Sequence, residues 1–440
     1  MITRNRVKFS EKQAALMWQQ AIGTELISTE DEQVNLIYPG RINSDNGPDF
    51  RDAVILNGLR FTKGDVEVHV RSSDWHRHGH DADAAYNNVI LHVAMWHDCS
   101  SATLLQSGRQ IPLLCLARAL RHQSYLLPHT LPCFRILDHM DRPTLKKILT
   151  AAGEERFKQK ATQFQSQMLR PPLSELSAAQ VLYRGMMRAL GYAKNTKPFE
   201  ELADRMPLSS IQSREGLTLK QALLLGTAGL LPSQRWQSES VDGKEVRELE
   251  QIWLSAAREV NAMRESDWNL SHIYPNNSPV RRIIAQSYLL DRYRDRTLLP
   301  GILHLLKDTR VSSGHRVLQN GLTVASDGYW RDHFDFGITS KTKISALLGH
   351  SKAGEIAVNV ILPFGFAWGE LADEAKLKEN AIGLYRNYPG MADNCITRHM
   401  GKQLCLEELP DFTACHQQGL IRIFTDYCRE GRCSECPLVG

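Results

Sequence analysis

Between Gly64 and Arg71 the sequence reads GDVEVHVR, alternating apolar and ionisable residues without a slip. A β-strand sends successive side chains to opposite faces, so Val66, Val68 and Val70 share one side. Asp65, Glu67, His69 and Arg71 share the other. The valine side has to lie on a core, which leaves a carboxylate flanked by ionisable groups on the opposite side. Farther on, Val89–Met95 is almost wholly apolar, the pattern of a central strand covered on both faces. Other short β-rich runs are Val34–Tyr38, Ala53–Leu56, Asn88–Trp96 and Ser101–Leu105, and Asn57-Gly58 is a strong hairpin signal. Helical spacing over Phe9–Ile22 places Ala14, Met17, Trp18 and Ala21 on one face, with Ser10 as N-cap. Together these predict an α/β N-terminal domain on a mixed sheet.

From about Pro143 to Leu305 the pattern turns helical, in Lys146–Met168, Leu176–Leu190, Leu217–Leu231 and Val280–Leu290. Ala353–Trp368 is apolar, with Pro363 as a break or kink. The expected organisation is an α/β domain over 1–135 and a mainly α-helical body over 136–310. A mixed or helical region follows over 311–440, ending in a small Cys-rich segment. With 42% apolar and 23% charged residues the chain is not a disordered one. Its net charge of +4 implies no polybasic tail but leaves room for one basic face. The apolar stretches Ala222–Leu231 and Ile356–Trp368 fall short of the ~20 residues that cross a bilayer. The opening MITRNRVKFSEKQ has no apolar segment behind its arginines, so a soluble, cytoplasmic protein without membrane contact is expected.

Nine cysteines, an odd number, argue against an extracellular disulfide framework. Six of them follow residue 394, and Cys428, Cys433 and Cys436 form a C-x4-C-x2-C run. Closely spaced thiolates suit Zn²⁺ or an iron–sulfur cluster, both of which want about four ligands. The run supplies three, and Cys415, Cys405, Cys395, His416 or His399 are candidates for the fourth.

Upstream of the alternating strand, Gly47-Pro48-Asp49-Phe50 places a carboxylate where a turn feeds the preceding strand. If the two strands pair through Asn57-Gly58, Asp49 and Glu67 meet on one face, where two carboxylates can hold Mg²⁺ or Mn²⁺. The following loop, Asp74-Trp75-His76-Arg77-His78-Gly79-His80-Asp81, adds three histidines suited to a transition metal or to general-base work. No phosphate-binding P-loop, no H-E-x-x-H and no dinucleotide fingerprint occurs, so ATPase, zincin and dehydrogenase readings lack support.

Asp49, followed on the next strand by Glu67-x-His69, resembles the PD-(D/E)XK nuclease arrangement. The resemblance implies a restriction-endonuclease-like fold in which Asp49 and Glu67 bind Mg²⁺. His69 stands where the family usually has lysine, and imidazole does not supply the same fixed positive charge. The run SSDWHRHGHD is similar to the FWHGH segment of very-short-patch repair endonucleases, of the same fold. At full length, PGRINSDNGPDF, GDVEVHVRSSDW, HGHDADAAYNNVILHV, LLLGTAGLL, PNNSPVRR, AVNVILPFGFAW and HQQGLIRIFTDYC resemble a bacterial family with no assigned function.

The resemblance implies a metal-dependent deoxyribonuclease with Asp49, Glu67, His69, His76, His78 and His80 at its centre and Glu11 as an extra carboxylate. Lys146, Lys147, Arg156, Lys158, Lys160, Arg281 and Arg282 are the candidates for contacts to nucleic-acid phosphates. Some nucleases of that fold carry an iron–sulfur cluster on C-terminal cysteines, which favours a cluster over zinc here. Two other readings remain: a non-catalytic module of the same fold that binds nucleic acid or a protein, and a transition-metal hydrolase built on the histidine loop.

Overall fold

The computed structural model describes residues 9–21, 25–30, 33–57, 60–121, 133, 140–169, 174–235, 243–256, 260–312, 314–406 and 412–439. The chain divides into two compact units. One comprises residues 1–152, 393–410 and 419–440, and the other 153–392 and 411–418. The expected boundaries near 135 and 310 are therefore not where the chain divides. Residues 311–392 belong to the helical unit, and most of the Cys-rich tail belongs to the sheet unit.

The sheet unit opens with helix α1 (Glu11–Gln20). Ser10 caps it reciprocally with Gln13: the Gln13 amide donates to Ser10 Oγ at 3.3 Å, and the Ser10 amide to Gln13 Oε1 at 2.9 Å. The strands are β1 (Glu25–Ile27), β2 (Gln33–Tyr38), β3 (Arg41–Ile42), β4 (Phe50–Asn57), β5 (Arg60–Arg71), β6 (Val89–Trp96) and β7 (Leu113–Cys115). They form one seven-stranded sheet in the order β1-β2-β4-β5-β6-β7, with β3 beside β4. Pairing is antiparallel up to β4–β5 and parallel for β5–β6 and β6–β7, so the sheet is mixed as expected. Asn57 pairs with Arg60 as a hairpin requires, while Gly58 lies outside the described residues. The run Ser101–Leu105 is no strand and makes only a bridge from Leu104 to Gln110. The last sheet position is taken instead by β7, whose LLC is too short to stand out by pattern.

The alternation in β5 works as the pattern demands on its valine side. Val66 and Val68 pack with Phe50, Leu91, Val93 and the Ala14 and Trp18 side chains of α1. Of the four ionisable residues on the other side, only Arg71 is exposed. Asp65, Glu67 and His69 are all buried, beneath the segment from helix α2 (Asp74–Arg77) to β7. Trp75, Tyr86, Val89, Leu105 and Ile111 form a second small core on that face. Gly64 allows the approach of β6, because a Cβ there would sit 2.5 Å from the Asn88 carbonyl oxygen.

The second unit is mainly helical and surrounds a large core that includes Phe157, Leu182, Tyr183, Leu224, Ile283 and Ile361. The expected buried stretch around Pro363 is helical throughout 350–371. A π turn over Ala357–Ile361 immediately precedes Leu362-Pro363 and accommodates the missing amide donor. No described helix is long and apolar enough to cross a membrane.

Trp18 joins α1 to the sheet: it is fully buried and its Nε1 donates to the Pro39 carbonyl at 3.1 Å. Trp18→Ala is expected to destabilise the sheet unit by about 3–5 kcal/mol. Chemical denaturation followed by far-UV circular dichroism checks this.

Candidate functional site

The site begins with an irregularity in the β4–β5 ladder. Register shifts between Phe50 and Ala53, and Asp52 takes a left-handed φ of 59°. Such a bulge re-aims the chain next to it and needs something to hold it. Asp65 does so, accepting Arg51 Nη1 at 2.6 Å and the Asp52 amide at 3.1 Å. The preceding turn is fixed by Asn43, whose Nδ2 donates to the Pro48 carbonyl at 2.9 Å and whose amide donates to the Asp49 carbonyl at 2.7 Å. The Asn- and Gly-rich loop thus serves as a scaffold for Asp49.

Hydrogen bonds from backbone amides bring Asp49 and Glu67 together. The Asp49 amide donates to Glu67 Oε2 at 2.9 Å, and Asp49 Oδ2 accepts the Val68 amide at 3.1 Å. Burial and then the Glu67 charge raise the Asp49 carboxyl to about 7, against the opposing Val68 hydrogen bond. Glu11 contributes in the same direction, so it senses this site electrostatically from α1.

The other Glu67 oxygen faces two imidazoles. Oε1 lies 3.3 Å from His80 Nε2 and 3.5 Å from His69 Nε2. Both nitrogens are buried and make no hydrogen bond. His69, His78 and His80 each offer a ligand atom, and the three atoms lie within 4.8 Å of one another. His78 is exposed, so the cluster reaches solvent on that side. Tyr86 stacks on the His80 ring at 3.9 Å, and Trp75, held by Nε1 to the Leu104 carbonyl at 2.9 Å, packs edge-on to it.

Behind His69 runs a chain of polar contacts that the sequence reading missed. His69 Nδ1 lies 3.0 Å from His92 Nε2, and His92 Nδ1 lies 3.2 Å from Thr103 Oγ1. Burial, followed by the neighbouring histidines, lowers His69 to about 2 and His92 to about 3, so both rings are neutral. One tautomer pair then has His69 Nδ1–H donating to His92 and leaves the His69 Nε2 lone pair facing Glu67, as a metal ligand requires. Such a partner behind a ligating histidine fixes its ring. The only hint in the sequence was a lone histidine inside the apolar run VILHVAMW.

His76 does not join the cluster. It is exposed, and its Nδ1 pairs with Asp81 at 2.9 Å. The phosphate-contact candidates also separate. Arg281 is fully buried, donating to the carbonyls of Trp330, His333 and Ala346 and to Ser326. Arg282 is buried as well, bound to the Leu347 carbonyl, Tyr192 and Asn277. Both guanidiniums tie the helical unit together and face no solvent. Lys160 is spent on Asn359 and Gln418 at 2.5 and 2.8 Å, and Arg156 also donates to Gln418. Lys147 and Lys158 are exposed and Lys146 half-buried on the helix Arg142–Met168. Cys415 belongs to the helical unit, where its thiol packs against Tyr385 and Gly153.

The family model described as "Protein of unknown function (DUF2851)" matches residues 11–394. No curated protein and no solved structure matches the chain.

The raised Asp49 carboxyl has a measurable consequence in metal-free protein. Between about pH 4 and about pH 7 the folded chain keeps a proton that the unfolded chain has released, so this group makes stability fall as pH rises through that window. His69 and His92 act oppositely, because the unfolded chain protonates them below about 6.5. Subtracting the pH–stability curve of Asp49→Asn from that of the wild type, by urea denaturation in EDTA, isolates the falling contribution. A difference that is flat or rises with pH contradicts it.

Proposed function

The chain belongs to this family, whose description states no activity, and we propose from the site itself that the protein is a metal-dependent nuclease hydrolysing DNA phosphodiester bonds. The observation that carries the reading is the convergence of Asp49, at the entry to β4, and Glu67, on β5, with His69, His78 and His80. Supporting it, an antiparallel pair, one strand entered from Asp49 and the other bearing Glu67, is followed through α2 by a parallel strand, with α1 on the opposite face, an arrangement similar to the PD-(D/E)XK core.

The donor set fits a divalent ion. Two carboxylates alone suit Mg²⁺, whereas three imidazoles beside one carboxylate shift preference towards Mn²⁺ or another transition-metal ion. When bound, such an ion lowers the pKa of a water and stabilises charge on a phosphate oxygen. Glu67, with one oxygen on the Asp49 amide and the other towards His69 and His80, orients the donors. His69, neutral and backed by His92, takes the role of a ligand and does not replace the positive charge of a lysine. His78 completes the donor set on the side that reaches solvent. Lys146, Lys147 and Lys158 remain as phosphate contacts for the nucleic acid.

Cleavage of single- and double-stranded DNA with Mn²⁺ or Mg²⁺ tests this. Asp49→Ala, Glu67→Ala and His80→Ala are each expected to slow hydrolysis by at least about 100-fold, with Mn²⁺ the better ion. His76→Ala should leave the rate within about twofold, since its partner is Asp81. Equal cleavage by the wild type and all three site variants would refute the catalytic reading.

A further inference from the structure

The Cys-rich tail has a partner that its sequence does not reveal. Cys133, about 300 residues earlier in the chain, lies with Cys428, Cys433 and Cys436 in the lining of one cavity of the sheet unit. Ile37 and Leu438 supply apolar wall, and the space is ≈ 10 Å³, room for about one water-sized sphere. Gln403 Nε2 donates to Cys133 Sγ at 3.3 Å. Cys133, Cys428 and Cys436 are buried and Cys433 half-buried, and no disulfide joins the described cysteines.

The tail is built to present these thiols. A π turn over Phe424–Cys428 ends in a reversal in which the Arg432 amide donates to the Tyr427 carbonyl at 2.9 Å. Gly431 makes that reversal at φ 69°, packed so closely on Phe61 that a Cβ would sit 2.5 Å from its ring. The short 3₁₀ turn Cys433–Glu435 then brings Cys433 and Cys436 round, with the Cys436 amide donating to the Cys433 carbonyl at 3.1 Å. Lys63 on β5 pairs with Glu430 at 2.8 Å and fastens the reversal to the sheet. Outside these cysteines, Cys395 and Cys405 are exposed. His416 is engaged with Thr413, and His399 packs between Tyr38 and Phe424.

We infer that Cys133, Cys428, Cys433 and Cys436 form a four-thiolate centre for a thiophilic metal, with Cys133 as the fourth ligand. Four sulfurs from two distant segments around one small cavity satisfy the ligand number of both a structural zinc site and an iron–sulfur cluster. No three of these sulfurs lie within 4.8 Å of one another, so a single zinc ion requires the thiols to draw in.

Full-length protein in a His80→Ala background, which disables the histidine cluster, is purified without oxygen and analysed for metals, absorbance and X-ray absorption. About one equivalent of zinc with four sulfur neighbours near 2.3 Å identifies the zinc form. Iron with sulfide and a broad band near ~400 nm identifies the cluster form. Either result supports the centre, and Cys133→Ser should then lose at least about 90% of the metal while Cys415→Ser keeps it. If Cys133→Ser does not accumulate, alkylation mapped by mass spectrometry replaces it: the four cysteines should be protected in native protein and labelled after chelator. No sulfur-bound metal in the wild-type cysteine set, or protection unchanged by chelator, overturns the inference.

Discussion

The ionisable face of β5 is buried from Asp65 to His69, and the rest of the site follows from that. Three titratable side chains in succession on that face, Asp65, Glu67 and His69, lie out of solvent. Burying such groups is costly unless each finds a partner. Asp65 is satisfied by Arg51 and the bulge amide, and Glu67 by the Asp49 amide. His69 is satisfied on one side only, by His92, and its remaining nitrogen, with that of His80, faces a single carboxylate oxygen. The unmet capacity of that face is concentrated at one point, where a cation would complete it.

Much of this was legible in the residues. Period-two alternation fixed which side chains of β5 share a face, the Asn57-Gly58 signal joined the strands, and the pairing of the two acids followed from those two facts. The apolar run of β6 marked it as central, between β5 and β7. The burial of the polar face was not legible, because it depends on Trp75 and Tyr86 folding back from a loop, and loop paths leave no periodic trace.

Other features were hidden for related physical reasons. Basic residues on helices read as a phosphate surface, yet Arg281 and Arg282 turn inward to carbonyls, since a guanidinium can satisfy several backbone acceptors at once. His92 was masked by the apolar residues around it. Cys133 was invisible as a partner of the tail because no local spacing links residues so far apart, whereas Cys415, nearer in sequence, belongs to the other unit. The family match, covering residues 11–394, bears out the full-length resemblance and supplies no chemistry, so the functional case stands on the geometry.

On the proposed reading, Glu67 and the facing histidines jointly hold a divalent ion. Calorimetric titration of Mn²⁺ into EDTA-treated protein tests it most directly, since Mn²⁺ prefers oxygen and imidazole donors to thiolates. Saturable binding at about one site, weakened at least about tenfold by Glu67→Gln and by His69→Ala, is the predicted result. Absent binding, or binding of equal strength in the wild type and both variants, would contradict it.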